Sequence, residues 1–292
     1  MSQAYYGRSI IKPPEWTDLI PLYFFSGGLA GACATLAFAA RLRKNDRLAR
    51  TMLCGSAAAT ALSTYCLIAD LKRPERFLNM LRVFKPTSPM SVGVYIFSAF
   101  AGSIFLAAGA ELTAIARPWG RITEGIAALL GPIMSVYTGV LIGDTVIPAW
   151  HRGRRTMPLL FAATSASSAG AFGMFFGPKD GGAAARRLAI GGALGIPLAL
   201  ERLRAEVGSA QWEAYELGQA GMLARSARFL NIAGAICALV ARRRNAMARV
   251  AGALLLGGGL AERFAIYRAG VASARDPKYV IESQRARAGS FS

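Results

Sequence analysis

Eight long apolar segments alternate with short polar segments along the chain. Each is close to the roughly 20 residues that an α-helix needs to cross a bilayer. The pattern predicts an all-α integral membrane protein with eight transmembrane helices, at about 18–40, 51–70, 91–116, 122–149, 157–177, 186–203, 226–242 and 247–268. An even number of crossings places both termini on one side, which we call the even side. The predicted parts are an N-terminal tail, an eight-helix domain and a C-terminal tail, at 1–17, 18–270 and 271–292.

The connection between the second and third predicted helices, residues 68–93, mixes cations with apolar side chains. Pro74 stops or redirects a helix. The apolar spacing within residues 77–81 then predicts a short amphipathic helix at the membrane surface. Ser88-Pro89 predicts a turn and cap into the next helix. Two interpretations remain open: an interfacial connector, or a loop that docks a partner and gates a ligand.

Composition supports the membrane assignment. Hydrophobic residues make up 54% of the chain and charged residues 17%, whereas soluble chains average about a quarter charged residues. The formal net charge is +18. Cations in the loops of a membrane protein face anionic lipid and orient the chain, and an acidic soluble partner is a second possibility. A nucleic-acid partner is not expected, because the charge is scattered over many short loops.

Metal-ligand patterns argue against a redox centre on this chain. The four cysteines lie far apart within apolar segments, without C-x-x-C spacing, so neither an iron–sulfur cluster nor a zinc site is predicted. His151 is the single histidine. A haem with two histidine ligands is therefore not expected.

Ionisable residues at predicted membrane depth are functional-site candidates, because an unpaired charge in lipid is costly. Those at the even-side ends of predicted helices are Asp18, Asp70, and Glu262 with Arg263. Asp144 lies about two turns before the even-side end of the fourth predicted helix. Tyr137 precedes Asp144 by two helical turns, on the same face and roughly 10 Å deeper. Three of the four acids also have a local explanation: an N-cap for Asp18, a helix-end anchor for Asp70, and a pair with Arg263 for Glu262. Together they predict a polar cavity entered from the even side.

Four segments in order resemble the NrfD/PsrC family, the membrane subunits of polysulfide-reductase-type oxidoreductases. They are W-T-D-L-I-P-L-Y-F-F-S-G-G-L-A-G, the loop D-L-K-R-P-E-R-F…S-P-M-S-V-G, Y-T-G-V-L-I and the final D-P-K-Y-V-I-E-S-Q-R. The resemblance implies two four-helix bundles in a prokaryotic cytoplasmic membrane. It also implies a quinone site near a [4Fe-4S] cluster of a partner. The implied partners are a four-cluster ferredoxin-like iron–sulfur subunit and a molybdopterin-type catalytic subunit.

The resemblance also implies roles for particular residues. Tyr137 matches the family's quinone-site tyrosine, and Asp18 falls at the polar position of the first helix, where the family often has His or Asn. Lys72 stands where the family often has Gly. A carboxylate such as Asp18 or Asp144 would relay protons. Tyr137 and Asp18 would contact the quinone, as would Asp70, Arg76 and Arg263.

The arginines among these, Arg76 and Arg263, would steady negative charge on the reduced ligand, or would contact lipid or a partner instead. The main hypothesis is thus a quinone-reactive subunit. A secondary transporter or proton-conducting protein is the alternative, although no convincing repeat of the kind found in transporters is present. A mere membrane anchor is a third possibility, which the acids at membrane depth disfavour.

Overall fold

A computed structural model describes residues 10–178, 182–241 and 245–281, apart from the side chains of Arg76, Leu78 and Asn245. The helices in these ranges are α1 (Leu19–Leu42), α2 (Asp46–Ala69), α3 (Phe77–Met80), α4 (Pro89–Thr113), α5 (Arg117–Gly143), α6 (Pro148–Arg152), α7 (Met157–Phe176), α8 (Gly182–Val207), α9 (Ser209–Glu216), α10 (Gly218–Val240) and α11 (Asn245–Arg275). Of the described helices, eight are long and apolar enough to span a membrane, and α3, α6 and α9 are short. The prediction of an all-α protein with eight transmembrane helices is confirmed.

The long helices pack as two groups of four. The first bundle is α1, α2, α4 and α5, and the second is α7, α8, α10 and α11, with α7 also packed against α1 and α5. Glycines allow the closest approaches, as at α1 and α5, where a Cβ atom on Gly31 would lie 2.3 Å from the carbonyl oxygen of Gly131. This grouping agrees with the two four-helix bundles that the resemblance implies.

The connection between α2 and α4 contains a 3₁₀ turn, Pro74–Arg76, followed by the four-residue helix α3. The hydroxyl of Ser88 accepts a hydrogen bond from the backbone N–H of Ser91, and Pro89 occupies the first turn of α4. The predicted short helix and the predicted cap are both confirmed.

Several helix ends differ from the prediction, and two of them change the position of candidate site residues. Helix α5 ends at Gly143, so Asp144 is its C-cap rather than a residue two turns inside. The hydroxyl of Thr145 bonds to the Ile142 carbonyl oxygen at 2.7 Å and competes with helix continuation. Helix α11 instead runs on to Arg275, beyond the predicted end at 268. Glu262 therefore lies within α11, about 20 Å before its end at 1.5 Å per residue.

Candidate functional site

A partly open cavity of about 140 Å³ lies between the even-side ends of α1, α2, α4 and α5. Its wall is mainly apolar, with Ile20, Phe24, Phe77, Met80, Met90 and Phe97 among the lining residues. The Asp70 carboxylate, the Tyr23 and Tyr137 phenols and the Trp16 indole are its polar side-chain groups. A cavity of this size takes a single six-membered ring, as an apolar cavity of about 150 Å³ takes benzene.

Tyr137 reaches this cavity from α5 and is 8% exposed. Its hydroxyl donates a hydrogen bond to the carbonyl oxygen of Pro89, at 3.0 Å, in the first turn of α4. A Cβ atom on Gly93 would lie 1.7 Å from the same hydroxyl oxygen. Glycine is required there because α4 packs directly against the phenol. The start of α4 thus fixes where the Tyr137 hydroxyl stands.

Asp70 forms the C-cap of α2 and also lines the cavity. Its Oδ1 accepts two hydrogen bonds from Thr17, one from the backbone N–H at 2.9 Å and one from the hydroxyl at 2.6 Å. The side chain therefore anchors a helix end, and it also presents a carboxylate to the ligand space.

Residues 15–18, which we call the N-terminal strap, cross from the cavity to the second bundle. Trp16 lines the cavity and stacks on Trp150 of α6, with ring centroids 5.9 Å apart and planes at 17°. The Trp16 carbonyl oxygen accepts a hydrogen bond from the Tyr267 hydroxyl of α11. Asp18 pairs with Arg268, at 2.6 and 2.8 Å. The strap holds α11 beside the cavity opening.

The loop between α2 and α4 covers another side of the cavity. Phe77 and Met80 line the space, and the hydroxyl of Tyr95 fixes the loop by donating to the Leu81 carbonyl oxygen at 2.7 Å. The backbone of Arg76 belongs to the 3₁₀ turn, but its side chain lies outside the described residues.

The structure brings only part of the predicted site together. Tyr137 and Asp70 share the cavity. Asp18 is exposed and engaged with Arg268, and it occupies the N-cap position of α1 without a side-chain cap bond. Asp144 is exposed at the end of α5, outside the cavity lining. Arg263 is buried in the second bundle. The expected polar cavity is instead a mainly apolar one, whose polar side-chain groups are one carboxylate, two phenols and one indole.

Sequence reasoning missed several residues of this site. Tyr23 lies about one turn after Ile20 on the same face of α1, a helical spacing that could have placed both at the cavity. Gly93 lies in the S-P-M-S-V-G segment at the start of α4, and a glycine at that place can indicate a close contact with a neighbouring helix. The contacts of Trp16 with Trp150 and Tyr267 join segments more than a hundred residues apart. No local sequence pattern predicts them.

Comparison with known proteins gives a family match over the region that forms this cavity. The sequence model of a family described as polysulphide reductase, NrfD, matches residues 12–178. That match covers more than half of the chain, from the strap through α7, and so includes every residue of the cavity lining. A comparison with curated proteins gave no match. The chain therefore belongs to the NrfD family, which comprises membrane subunits of quinone-interacting oxidoreductase complexes.

Proposed function

We propose that this chain is the quinone-binding membrane subunit of a multisubunit respiratory oxidoreductase of a prokaryotic cytoplasmic membrane. It would exchange electrons between an iron–sulfur partner and membrane quinone. The observation that carries the proposal is the even-side cavity, where two phenols and one carboxylate line a space of ring size in a mainly apolar wall. Ligand sites are typically apolar with a few placed polar groups.

The quinone, as the substrate, supplies the redox chemistry, and the chain supplies binding, orientation and protons. Tyr137 donates its hydrogen to Pro89 in this structure. A phenol oxygen still accepts a hydrogen bond in that state, so it can receive an O–H group of a quinol. Rotation of the hydroxyl would direct its hydrogen to a quinone carbonyl instead. The absence of haem and iron–sulfur clusters on this chain remains a prediction.

Among the candidate carboxylates, we assign proton exchange with the ligand to Asp70. It lines the cavity, and both hydrogen bonds from Thr17 are received by Oδ1. The second oxygen is thus able to take or release a proton. Asp18 is engaged with Arg268 and Asp144 stands outside the lining, so these two acids are less suited to direct proton transfer.

The loop between α2 and α4 supports docking of the partner on the even side. Its cations Lys72, Arg73, Arg82 and Lys85 are exposed, and so are Val83 and Phe84, at 58% and 55%. Apolar side chains among charges suit an acidic protein partner. The same loop contributes Phe77 and Met80 to the cavity, so a donor docked there would stand close to the quinone. The four-cluster ferredoxin-like subunit and, behind it, the molybdopterin-type subunit are the partners that we propose.

The proposed site is tested with Tyr137→Phe in the intact complex. We expect quinone-linked turnover to fall roughly tenfold, because one hydrogen bond to the ligand is worth about 0.5–1.5 kcal/mol. Turnover with an artificial dye at the catalytic partner should stay unchanged. Tyr215→Phe is the matched control, since that buried phenol also donates to a backbone carbonyl oxygen at 3.0 Å, but it does not line the cavity. Unchanged quinone kinetics in Tyr137→Phe would place the quinone site elsewhere. Solute or proton transport by the purified chain without its partners would instead favour the transporter alternative.

The docking face is tested by charge reversal. The double variant Arg82→Glu/Lys85→Glu should reduce recovery of the iron–sulfur subunit with the purified chain several-fold, because like charges across an interface repel. Arg43→Glu/Lys44→Glu is the matched change at the opposite membrane side, between α1 and α2, and should leave recovery unchanged. The reverse pattern would refute even-side docking. The C-terminal tail Arg275–Arg287, which is predicted on the even side, extends beyond the described residues. The Arg242–Arg244 connection, which is predicted on the opposite side, lies outside them.

A further inference from the structure

The second bundle contains a cluster of polar side chains in the middle of its membrane-spanning part. Glu262 and Arg263 of α11 are only 4% and 1% exposed. Among the described residues, the buried side-chain atoms without a hydrogen-bond partner are concentrated in α7, α10 and α11: Ser167 Oγ, Ser168 Oγ, Asn231 Oδ1, Glu262 Oε2, and Arg263 Nε and Nη1. Buried polar atoms normally have partners. A concentration of exceptions therefore needs a functional explanation.

The two charged side chains do not neutralise each other by contact. Successive helix residues point about 100° apart, and the ion pairs found among the described residues do not include Glu262 with Arg263. Glu262 Oε1 accepts a hydrogen bond from the Thr164 hydroxyl at 3.3 Å. Arg263 Nη2 donates to the Phe161 carbonyl oxygen at 2.9 Å and to Ser165 Oγ at 3.2 Å.

A carboxylate held in this way is costly in its charged form. Burial of an ionised carboxylate without a contact partner at membrane depth is strongly unfavourable, whereas a protonated carboxyl does not carry that cost. A change in nearby charge would then release or restore the proton. Arg263 is the charged neighbour along α11, and at this level α7 presents Thr164 and Ser165 while α10 presents Asn231. Glu262 is thus placed to carry a proton.

Polar atoms continue from Glu262 toward the side opposite the cavity. One turn earlier on α11, a Cβ atom on Gly258 would lie 2.5 Å from Asn231 Oδ1, and one on Gly259 would lie 2.5 Å from Ser168 Oγ. The two glycines therefore let an amide and a hydroxyl approach the helix backbone. Groups of this kind can hydrogen-bond to internal water.

One aromatic layer separates this cluster from the cavity. The Arg263 guanidinium carbon lies 3.5 Å from the ring centroid of Phe161. Phe161 packs against Phe24 with centroids 6.1 Å apart, and Phe24 lines the cavity. A charge that forms on the ligand would therefore act on Arg263 through a short, water-poor layer, in which electrostatic interactions are strong.

We propose that Glu262 is a proton-binding group of the second bundle, which releases and regains a proton as the charge in the cavity changes during turnover. Arg263 is its positioning residue and electrostatic link. The step is the loss and return of one proton at the Glu262 carboxyl, with no electron passing through it. The proposal rests on the proposed quinone function, but it concerns residues beyond the 12–178 region that the family matches.

The test uses the intact complex in sealed vesicles, with a pH dye in the lumen and quinone turnover recorded separately. Glu262→Gln should keep quinone turnover within about twofold. It should remove the transient proton release and uptake that the dye records in addition to the two protons of quinone chemistry itself. Glu201→Gln, at an exposed carboxyl of α8, is the control and should change neither quantity. Equal proton movement in the wild type and Glu262→Gln would overturn the proposal.

A second measurement tests the proposal if the Glu262→Gln complex does not assemble. Infrared difference spectra of the wild-type complex, with quinone oxidised and then reduced, should show a change in a protonated carboxyl band. That band should shift in Glu262→Asp. A wild-type spectrum without such a change, or a band unaltered in Glu262→Asp, would overturn the proposal. Failure of the quinone function itself looks different: the wild-type complex would then show no quinone turnover at all.

Discussion

Two buried arginines show how differently the two bundles treat charge. Arg41, at the end of α1 opposite the cavity, contacts three carboxylates: Glu124 at 2.9 Å, and Glu111 and Asp46 at 3.2 Å each. Arg263, inside the second bundle, is bound by a carbonyl oxygen, a hydroxyl and an aromatic ring. One arginine is fully neutralised by contact, and the other is not.

The difference separates a structural cluster from a responsive one. The Arg41 cluster joins all four helices of the first bundle, since its partners lie on α2, α4 and α5. Arg117 and Arg121 line the same opening. Such a cluster resists change, because every charge has an opposite neighbour. The Glu262–Arg263 cluster lacks that compensation, so in the proposed role its charge can respond to a charge in the cavity.

The largest expected effect is the loss of the Arg41 cluster. Arg41→Met leaves Glu124, 2% exposed, without its cation. Removal of one partner from a buried pair costs about 3–5 kcal/mol, so the free energy of unfolding in mixed micelles should fall by that amount and assembly should suffer. Arg43→Met, at an exposed cation just after α1, is the control.

The matched change Arg263→Met sharpens the comparison. It removes two hydrogen bonds and one cation–π contact, each worth about 1 kcal/mol, and it also removes a costly buried charge. We expect a net loss of about 1–2 kcal/mol in the same unfolding assay. A loss as large as that of Arg41→Met would mean that the second cluster is structural as well, and it would weaken the role proposed for Glu262.

The same contrast explains what could be predicted from the sequence. The eight helices follow from apolar length, which is a local property, and Tyr137 and Asp70 follow from short motifs near helix ends. The Arg41 cluster was not predicted, because Arg41 and Glu124 are 83 residues apart and meet only after the bundle forms. The end of α11 was misplaced for a related reason. Glu262, Arg263 and Arg268 interrupt the apolar run. The helix continues because those side chains form hydrogen bonds with α7 and with the strap.

The smallest expected effect concerns an exposed counterpart of the Arg41 cluster. Glu15 in the strap contacts two lysines, Lys12 and Lys72, both at 2.5 Å. Lys12, followed by Lys72, lowers the pKa of Glu15 from the ordinary 4.5 to about 2. A lowered carboxyl pKa stabilises the fold above pH 4.5, and this contribution is lost as the pH falls from 4.5 through 2.

All three side chains are at least half exposed, so water and salt screen the interaction. Glu15→Gln should therefore leave the melting temperature at pH 7 and 0.15 M salt unchanged within error. Between pH 4.5 and 2 in low salt, the wild type should lose slightly more stability than the variant, because only the wild type gains a proton at this position. Melting curves over this pH range check both statements. A drop at pH 7 comparable to that of Arg41→Met would show that contact geometry, rather than burial, decides what such a cluster contributes.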